Sequence, residues 1–212
     1  MKYIKLLENF EPYDPYELMI TTPNKKGEMF WDEIKKRDDA NFDLLRDLIT
    51  LGANLDWQNE AGYTALHLCA YSNNSDIAKM LIDSGADLNI QEDGGKTALH
   101  WCVSENHPKI AKMLIDAGAD LNIRQKNGES ALIMCAYRNR PEIARMLIDA
   151  GADVNMQENV GWTALHYCAN WKHQKMIQMM LDAGADKTIS NSRGELPYEL
   201  ARTPELKELL KP

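Results

Sequence analysis

The chain has 212 residues, 44% hydrophobic and 26% charged, an ordinary balance for a globular protein. Its 32 acidic and 24 basic side chains leave a formal net charge of −8, which argues against direct binding of a nucleic-acid backbone, a ligand that calls for clustered Lys and Arg. No apolar run approaches the ~18 residues needed to span a bilayer, and the start, Met1 to Glu8, carries a charge inside its only apolar stretch and no small-residue cleavage site, so neither a membrane span nor a signal peptide is expected.

Residues 1–25 stand outside a 33-residue period that organises everything after them. Pro12, Pro15 and Pro23 rule out one continuous helix, yet Tyr3, Ile4, Leu6, Leu7, Phe10, Tyr13, Tyr16, Leu18, Met19 and Ile20 are too apolar for a simple tail. The segment is expected to dock as an extension of the N-terminal cap; folding over the concave face or engaging a second protein are the alternatives. Residues 26–58 read as a capping unit: a mostly charged helix, Phe30 to Arg37, then an amphipathic one, Phe42 to Ile49, closed by Gly52-Ala53-Asn54. One face of a terminal unit meets water, so such polarity is expected there.

From residue 59 the period is explicit. Gly62, Gly95, Gly128, Gly161 and Gly194 lie 33 apart, as do Gly52, Gly85, Gly118, Gly151 and Gly184. Between them recur Gly62-Tyr-Thr-Ala-Leu-His67, Gly95-Lys-Thr-Ala-Leu-His100 and Gly161-Trp-Thr-Ala-Leu-His166. Thr64, Thr97 and Thr163 are placed to cap a short first helix. Ile77, Ala78, Leu81 and Ile82 show the spacing of a second, amphipathic helix, ended at Gly85 where a left-handed backbone is needed. Four full units follow, 59–91, 92–124, 125–157 and 158–190. A C-terminal cap, 191–212, holds Leu196 to Ala201 and a last short helix from Pro204 to Leu210.

This unit resembles the ankyrin repeat, whose signature reads Gly-x-Thr-Pro-Leu-His-x-Ala-Ala, a second helix, then Gly-Ala-Asp-x-Asn; the resemblance covers about residues 26–212. It implies an all-α solenoid of stacked helix–turn–helix units with hairpin-like loops. Ala65, Ala98, Ala131 and Ala164 replace the usual Pro, a change a good helix former tolerates. The unit starting at Gly128 departs further: Ser130 stands for Thr and Ile133 for His. It is expected to lose the side-chain hydrogen bonds of those positions and to be softer, or repacked around Met134.

Several chemical motifs dissolve into the period. Cys69, Cys102, Cys135 and Cys168 recur every 33 residues; equivalent points on stacked helices lie roughly 8–10 Å apart, beyond the ~7 Å a disulfide allows. They read as buried apolar side chains in a reducing, cytoplasmic setting. His67, His100 and His166 are too far apart to share a metal. Gly94-Gly95-Lys96-Thr97 lacks the earlier Gly of a phosphate loop, Ile90 standing in its place. Asn73-Asn74-Ser75 is a glycosylation sequon without a secretory signal. No catalytic constellation, metal site or cofactor is expected.

In the ankyrin family the loop tips and the exposed side of the first helix carry recognition, which here points to Tyr63, Tyr71, Lys96, Tyr137, Arg138, Trp162 and Trp171. Trp, Tyr and Arg are the types enriched in binding hot spots. Trp101 and Tyr167 are expected to pack inward. The resemblance implies a non-enzymatic module, monomeric on its own, that binds another protein on its concave face and loop tips to inhibit or recruit it, with no nucleic acid or membrane as direct partner. The alternative is an acidic inhibitor mimicking nucleic acid toward a DNA- or RNA-binding enzyme. It is disfavoured because Asp83, Asp116, Asp149 and Asp182 fall at framework positions. Replacing Trp162 and Trp171 by Ala is expected to weaken partner binding with little loss of thermal stability.

Overall fold

The computed structural model describes residues 21–36 and 40–212; the expectations for residues 1–20 lie outside them. The described chain forms successive helix pairs: α1 (Pro23–Ile34) with α2 (Phe42–Thr50), α3 (Ala65–Ser72) with α4 (Ser75–Asp83), α5 (Ala98–Glu105) with α6 (Pro108–Asp116), α7 (Ala131–Arg138) with α8 (Pro141–Asp149), α9 (Ala164–Trp171) with α10 (Gln174–Asp182), and α11 (Pro197–Leu200) with α12 (Pro204–Leu210). First helices pack on first helices of the next pair, from α3 through α11, and second helices on second helices, from α4 through α10. The result is a two-layer stack. Helices of eight or nine residues are marginal alone, so this packing is what makes them stable.

Why each helix starts and stops is local. The Thr64, Thr97 and Ser130 positions sit in extended backbone just before their helices. The two helices of a pair turn on one left-handed residue, Asn73, Asn106, Asn139 or Lys172, with φ between 53° and 62°; Asn tolerates that region best among L-residues, and Lys172 is the exception. Gly95, at φ +82°, needs its lack of a Cβ twice over, because a Cβ there would meet Lys126 N at 2.8 Å. The Gly-Lys-Thr text is therefore a turn into a helix cap.

The first helix of the cap begins earlier than its charged run suggests. It starts at Pro23, not Phe30, and ends at Ile34. Pro23 occupies the first turn, where its missing N–H costs nothing, and Thr22 Oγ1 accepts from Lys25 N at 3.3 Å. Of its charged residues, Lys26 and Glu33 are buried: Lys26 Nζ donates to Leu51 O at 2.8 Å and Glu33 accepts from Asn41 N at 2.7 Å. These charges join α1 to the turns around α2 instead of facing water.

The core is built from small residues in the first helices and branched ones in the second. Cys69, Ala70, Cys102, Cys135, Ala136, Cys168 and Ala169 are fully buried, as are Ile77, Ile110, Ile143 and Ile177. Small side chains let adjacent first helices approach closely, and the four thiols are free. Burial pushes Cys168 up to about 12 and the other three further still, so they remain unreactive thiols.

Candidate functional site

The face formed by the loop tips and first helices is held by bonds within each loop and by bonds from one unit to the next. At the tips each loop is closed as a hairpin, with Glu92 N donating to Lys96 O at 3.0 Å and Glu158 N to Trp162 O at 3.0 Å. A buried side chain then ties up the loop: the Glu92 carboxylate accepts from Gly94 N and Lys96 N at 2.7 and 3.0 Å, and that of Glu158 from Val160 N and Trp162 N at 3.0 and 2.8 Å. Successive tips are joined by a backbone bond at each junction, Asp93 N to Ala61 O, Lys126 N to Gly94 O, Asn159 N to Asn127 O and Ser192 N to Val160 O, all 3.0–3.1 Å.

The histidines lock the base of each loop to its helix. Thr64 N and the Thr64 hydroxyl both reach His67 Nδ1, at 3.1 and 2.8 Å, so Nδ1 accepts. Nε2 therefore carries the proton and donates to Lys96 O of the next unit at 3.0 Å. His166 repeats the pattern, with Nε2 donating to Glu195 O at 3.1 Å. Burial lowers the pKa of all three histidines, and that of His100 falls to about 4. In the unit with Ile133 the cap survives, contrary to the loss expected from its sequence: Ser130 Oγ still accepts from Ile133 N at 3.4 Å. Only the reciprocal histidine bonds are gone. Ile133 and Met134 are buried in their place.

On this frame the aromatic residues form two strips. In the first, the rings of Tyr63 and Tyr71 each lie 5.7 Å from Trp101, and the Lys96 ammonium sits 4.5 Å above the Trp101 ring, a cation–π contact. Trp31 stands 6.2 Å from Trp57 and closes one end. Together Trp31, Asn59, Tyr63, His67, Leu68, Tyr71 and Trp101 line a depression of about 260 Å³. In the second strip, Trp162 lies 4.8 Å from Tyr167, Tyr167 5.8 Å from Tyr137, and Tyr137 6.3 Å from Trp171. Tyr71, Tyr137 and Trp171 are about half exposed, at 49%, 47% and 53%. Between the strips lies Ser104, whose hydroxyl is buried without a partner.

All seven residues expected from the sequence lie on this face, but they do not form one patch. Tyr63, Tyr71 and Lys96 belong to the first strip; Tyr137, Trp162 and Trp171 belong to the second; Arg138 is exposed at the end of α7 beside Tyr137. Trp162 is half-buried against Tyr167 and 6.0 Å from the His166 ring, so it serves the framework as well as the surface. Trp101 and Tyr167 pack on neighbours as expected and are half-buried at the centre of their strips. The period does not single out Trp31 or Trp57, although Trp57 stands just two residues before the first loop.

The opposite side differs in character. A larger depression of about 410 Å³ lies between α6 and α8, lined by Pro108, Lys109, Lys112, Met113, Asp116, Glu142 and Met146. The second helices hold their charges in internal pairs: Lys79 with Asp83 at 2.6 Å, Lys112 with Asp116 at 2.9 Å and Arg145 with Asp149 at 4.0 Å. Asp182 accepts from Gln178 at 2.7 Å. These acids are engaged and sit on a different layer from the aromatic strips.

A stack of paired helices joined by regular loop tips is a repeat-built helical solenoid. A family model for ankyrin repeats, in three copies, matches residues 36–125 and 117–191, and the chain belongs to the ankyrin-repeat family. That family consists generally of protein–protein interaction modules and typically of binding scaffolds. No curated protein matches the chain. Among the described residues no helix is long and apolar enough to cross a membrane.

Proposed function

We propose that this chain binds another protein through the two aromatic strips, with loop tips and first helices as the contact surface and no chemistry of its own. The observation that carries the reading is the placement of Tyr71, Tyr137 and Trp171: three large rings, each about half exposed, on one rigid face. Ordered aromatics of this kind supply contact area at little entropic cost and form the centres of binding interfaces. The distribution of acids gives no support to mimicry of nucleic acid, since Asp83, Asp116, Asp149 and Asp182 are paired or bonded within their own second helices.

The test is affinity capture from host extract with the wild-type chain and a Tyr71→Ala/Tyr137→Ala/Trp171→Ala variant. This set replaces the Trp162/Trp171 pair because Trp162 is half-buried and its loss would disturb the stack. Exposed positions change stability by only about 0.5 kcal/mol each, so the variant is expected to unfold close to the wild-type temperature. Loss of a hot-spot cluster worth about 2 kcal/mol or more weakens binding roughly 30-fold or more. Capture of the same protein at unchanged affinity would sink the proposal.

A further inference from the structure

Exposed charges divide the recognition face along the stack. Its first two units carry acids, Glu60 and Asp93 at the tips and Glu105 at the end of α5; the later ones carry cations, with Arg138 ending α7, Lys172 closing α9 and Arg202 following α11. We propose that this second half binds an acidic, extended segment of the partner protein. Its carboxylates meet Arg138, Lys172 and Arg202, and apolar side chains between them cover Tyr137 and Trp171. The inference rests on the reading of that face as a binding surface.

The cations are placed and left open. The two helices of a pair turn on a left-handed residue, which is Asn73, Asn106 and Asn139 in three units and Lys172, at φ 61°, in the fourth. Asn holds that backbone at less cost than Lys, so the fourth unit carries a cation where the others carry the residue that suits the turn. Local strain of this kind gathers at ligand-holding sites. Arg202 is held on the same face, its Nη2 donating at 3.2 Å to Asn170 Oδ1, next to Trp171 in α9. Its other guanidinium donors remain for a carboxylate, which a guanidinium grips with two bonds. Among the described residues none of the three cations is in an ion pair. Acids on the loops and first helices of this half are already engaged. Glu129 accepts from Gln125 Nε2, Glu158 from Val160 N and Trp162 N, Glu195 from Asn191 Nδ2 and Glu199 from Leu196 N.

Spacing sets the form of the segment. Helices α7, α9 and α11 pack side by side, so their C-terminal ends follow one another at roughly 8–10 Å. Three residues of extended chain span about 10 Å, and acids at every third position meet the three cations in turn. Tyr137 and Trp171, 47% and 53% exposed, directly precede Arg138 and Lys172 in the chain and take the residues between. One unit further, Glu105 repels a carboxylate, which confines the acidic stretch to the later units. A nucleic acid carries its charge along the whole strand and meets those acids instead.

The probe is a synthetic peptide of four Asp-Phe-Ser repeats, blocked at both ends. It is titrated into the full chain while the indole N–H signals of the five tryptophans are followed in a nitrogen–proton correlation spectrum. Trp162 and Trp171 should shift saturably while Trp31, Trp57 and Trp101 stay in place. Affinity should fall roughly tenfold or more with Asn in place of Asp, with NaCl raised from about 0.05 to about 0.5 M, and in an Arg138→Gln/Lys172→Asn/Arg202→Gln variant. A Lys79→Gln/Lys112→Gln/Arg145→Gln variant removes as much charge from the second helices and should bind within about twofold of wild type. Lys172→Asn alone should weaken binding about threefold and unfold at the wild-type temperature or above it. A cation at a helix C-terminus also complements the helix dipole; a lower unfolding temperature with unchanged affinity would assign Lys172 to that role and overturn its place in the site. Still signals, movement of all five, equal affinity for the Asp and Asn peptides, or equal losses in the two triple variants overturns the proposal. Tighter binding of an oligothymidylate at Trp162 and Trp171 overturns it in favour of nucleic acid. If the peptide fails while partner capture still depends on Tyr71, Tyr137 and Trp171, this inference alone fails. If it succeeds and capture does not depend on those rings, the binding-module reading fails instead.

Discussion

The histidines show how a single residue type joins neighbouring units. His67 and His166 accept from their own Thr at Nδ1 and donate from Nε2 to the next unit's loop. Burial lowers their pKa, and for His100 the fall is from 6.5 to about 4. Because the folded value lies below the unfolded one, the unfolded chain binds more protons between those limits. Stability is therefore full above about pH 6.5 and declines as pH drops toward 4. From this one group the loss is about 2 kcal/mol at pH 5 relative to neutral pH. Urea unfolding of the wild type and a His100→Gln variant at pH 7.5 and pH 5 checks this. The variant should lose about 2 kcal/mol less on acidification, and an equal loss in both would refute the assignment. The structural role of these histidines is legible in the sequence, because they recur at repeat spacing beside a capping Thr. The bonds from Glu92 and Glu158 to the loop backbone are not. At that position Asn59, Glu92, Glu158 and Asn191 share an oxygen that accepts from the loop N–H groups and not a residue identity, while Gln125 instead donates to Glu129.

At the scale of the helix, α7 and α9 offer a controlled comparison. Thr163 Oγ1 contacts both His166 N, at 3.4 Å, and His166 Nδ1, at 2.8 Å, whereas Ser130 Oγ accepts only from Ile133 N. Removing a helix cap costs typically about 1 kcal/mol, and losing the hydroxyl's second hydrogen bond, to His166 Nδ1, adds about 1 kcal/mol more. Thr163→Ala should therefore destabilise the chain by about 2 kcal/mol and Ser130→Ala by about 1 kcal/mol. Denaturant midpoints measured in parallel decide the matter; equal losses, or a larger one for Ser130→Ala, would rule out this explanation of how Ile133 replaces histidine. Helix starts within the repeats follow from Thr and Gly positions that the period exposes. The start of α1 does not, because Pro23 reads as a breaker in the sequence while its place in the first turn makes it an opener. Likewise the buried Lys26 and Glu33 look like a solvated face, since nothing in a local window shows that Leu51 O and Asn41 N stand opposite them.

For the whole molecule, the period separates framework from surface, and it is most informative where it fails. The aromatic residues off the period all fall on one face, but their grouping into two strips depends on contacts between units. Tyr63 with Trp101 and Tyr137 with Tyr167 are pairs of different repeat positions brought together by stacking. A position-by-position subtraction treats each unit separately and so misses Trp31, Trp57 and the central place of Trp101 and Tyr167. If the binding proposal holds, the layer of first helices and loop tips meets the partner and the layer of second helices does not. Amide hydrogen exchange on the chain with and without its captured protein distinguishes the two layers. Added protection is expected at the loop tips, residues 60–63, 93–96, 126–129 and 159–162, and at the ends of α3, α7 and α9. Protection confined to α4, α6, α8 and α10, around the depression between Met113 and Met146, would place the partner on the opposite side and refute the proposal.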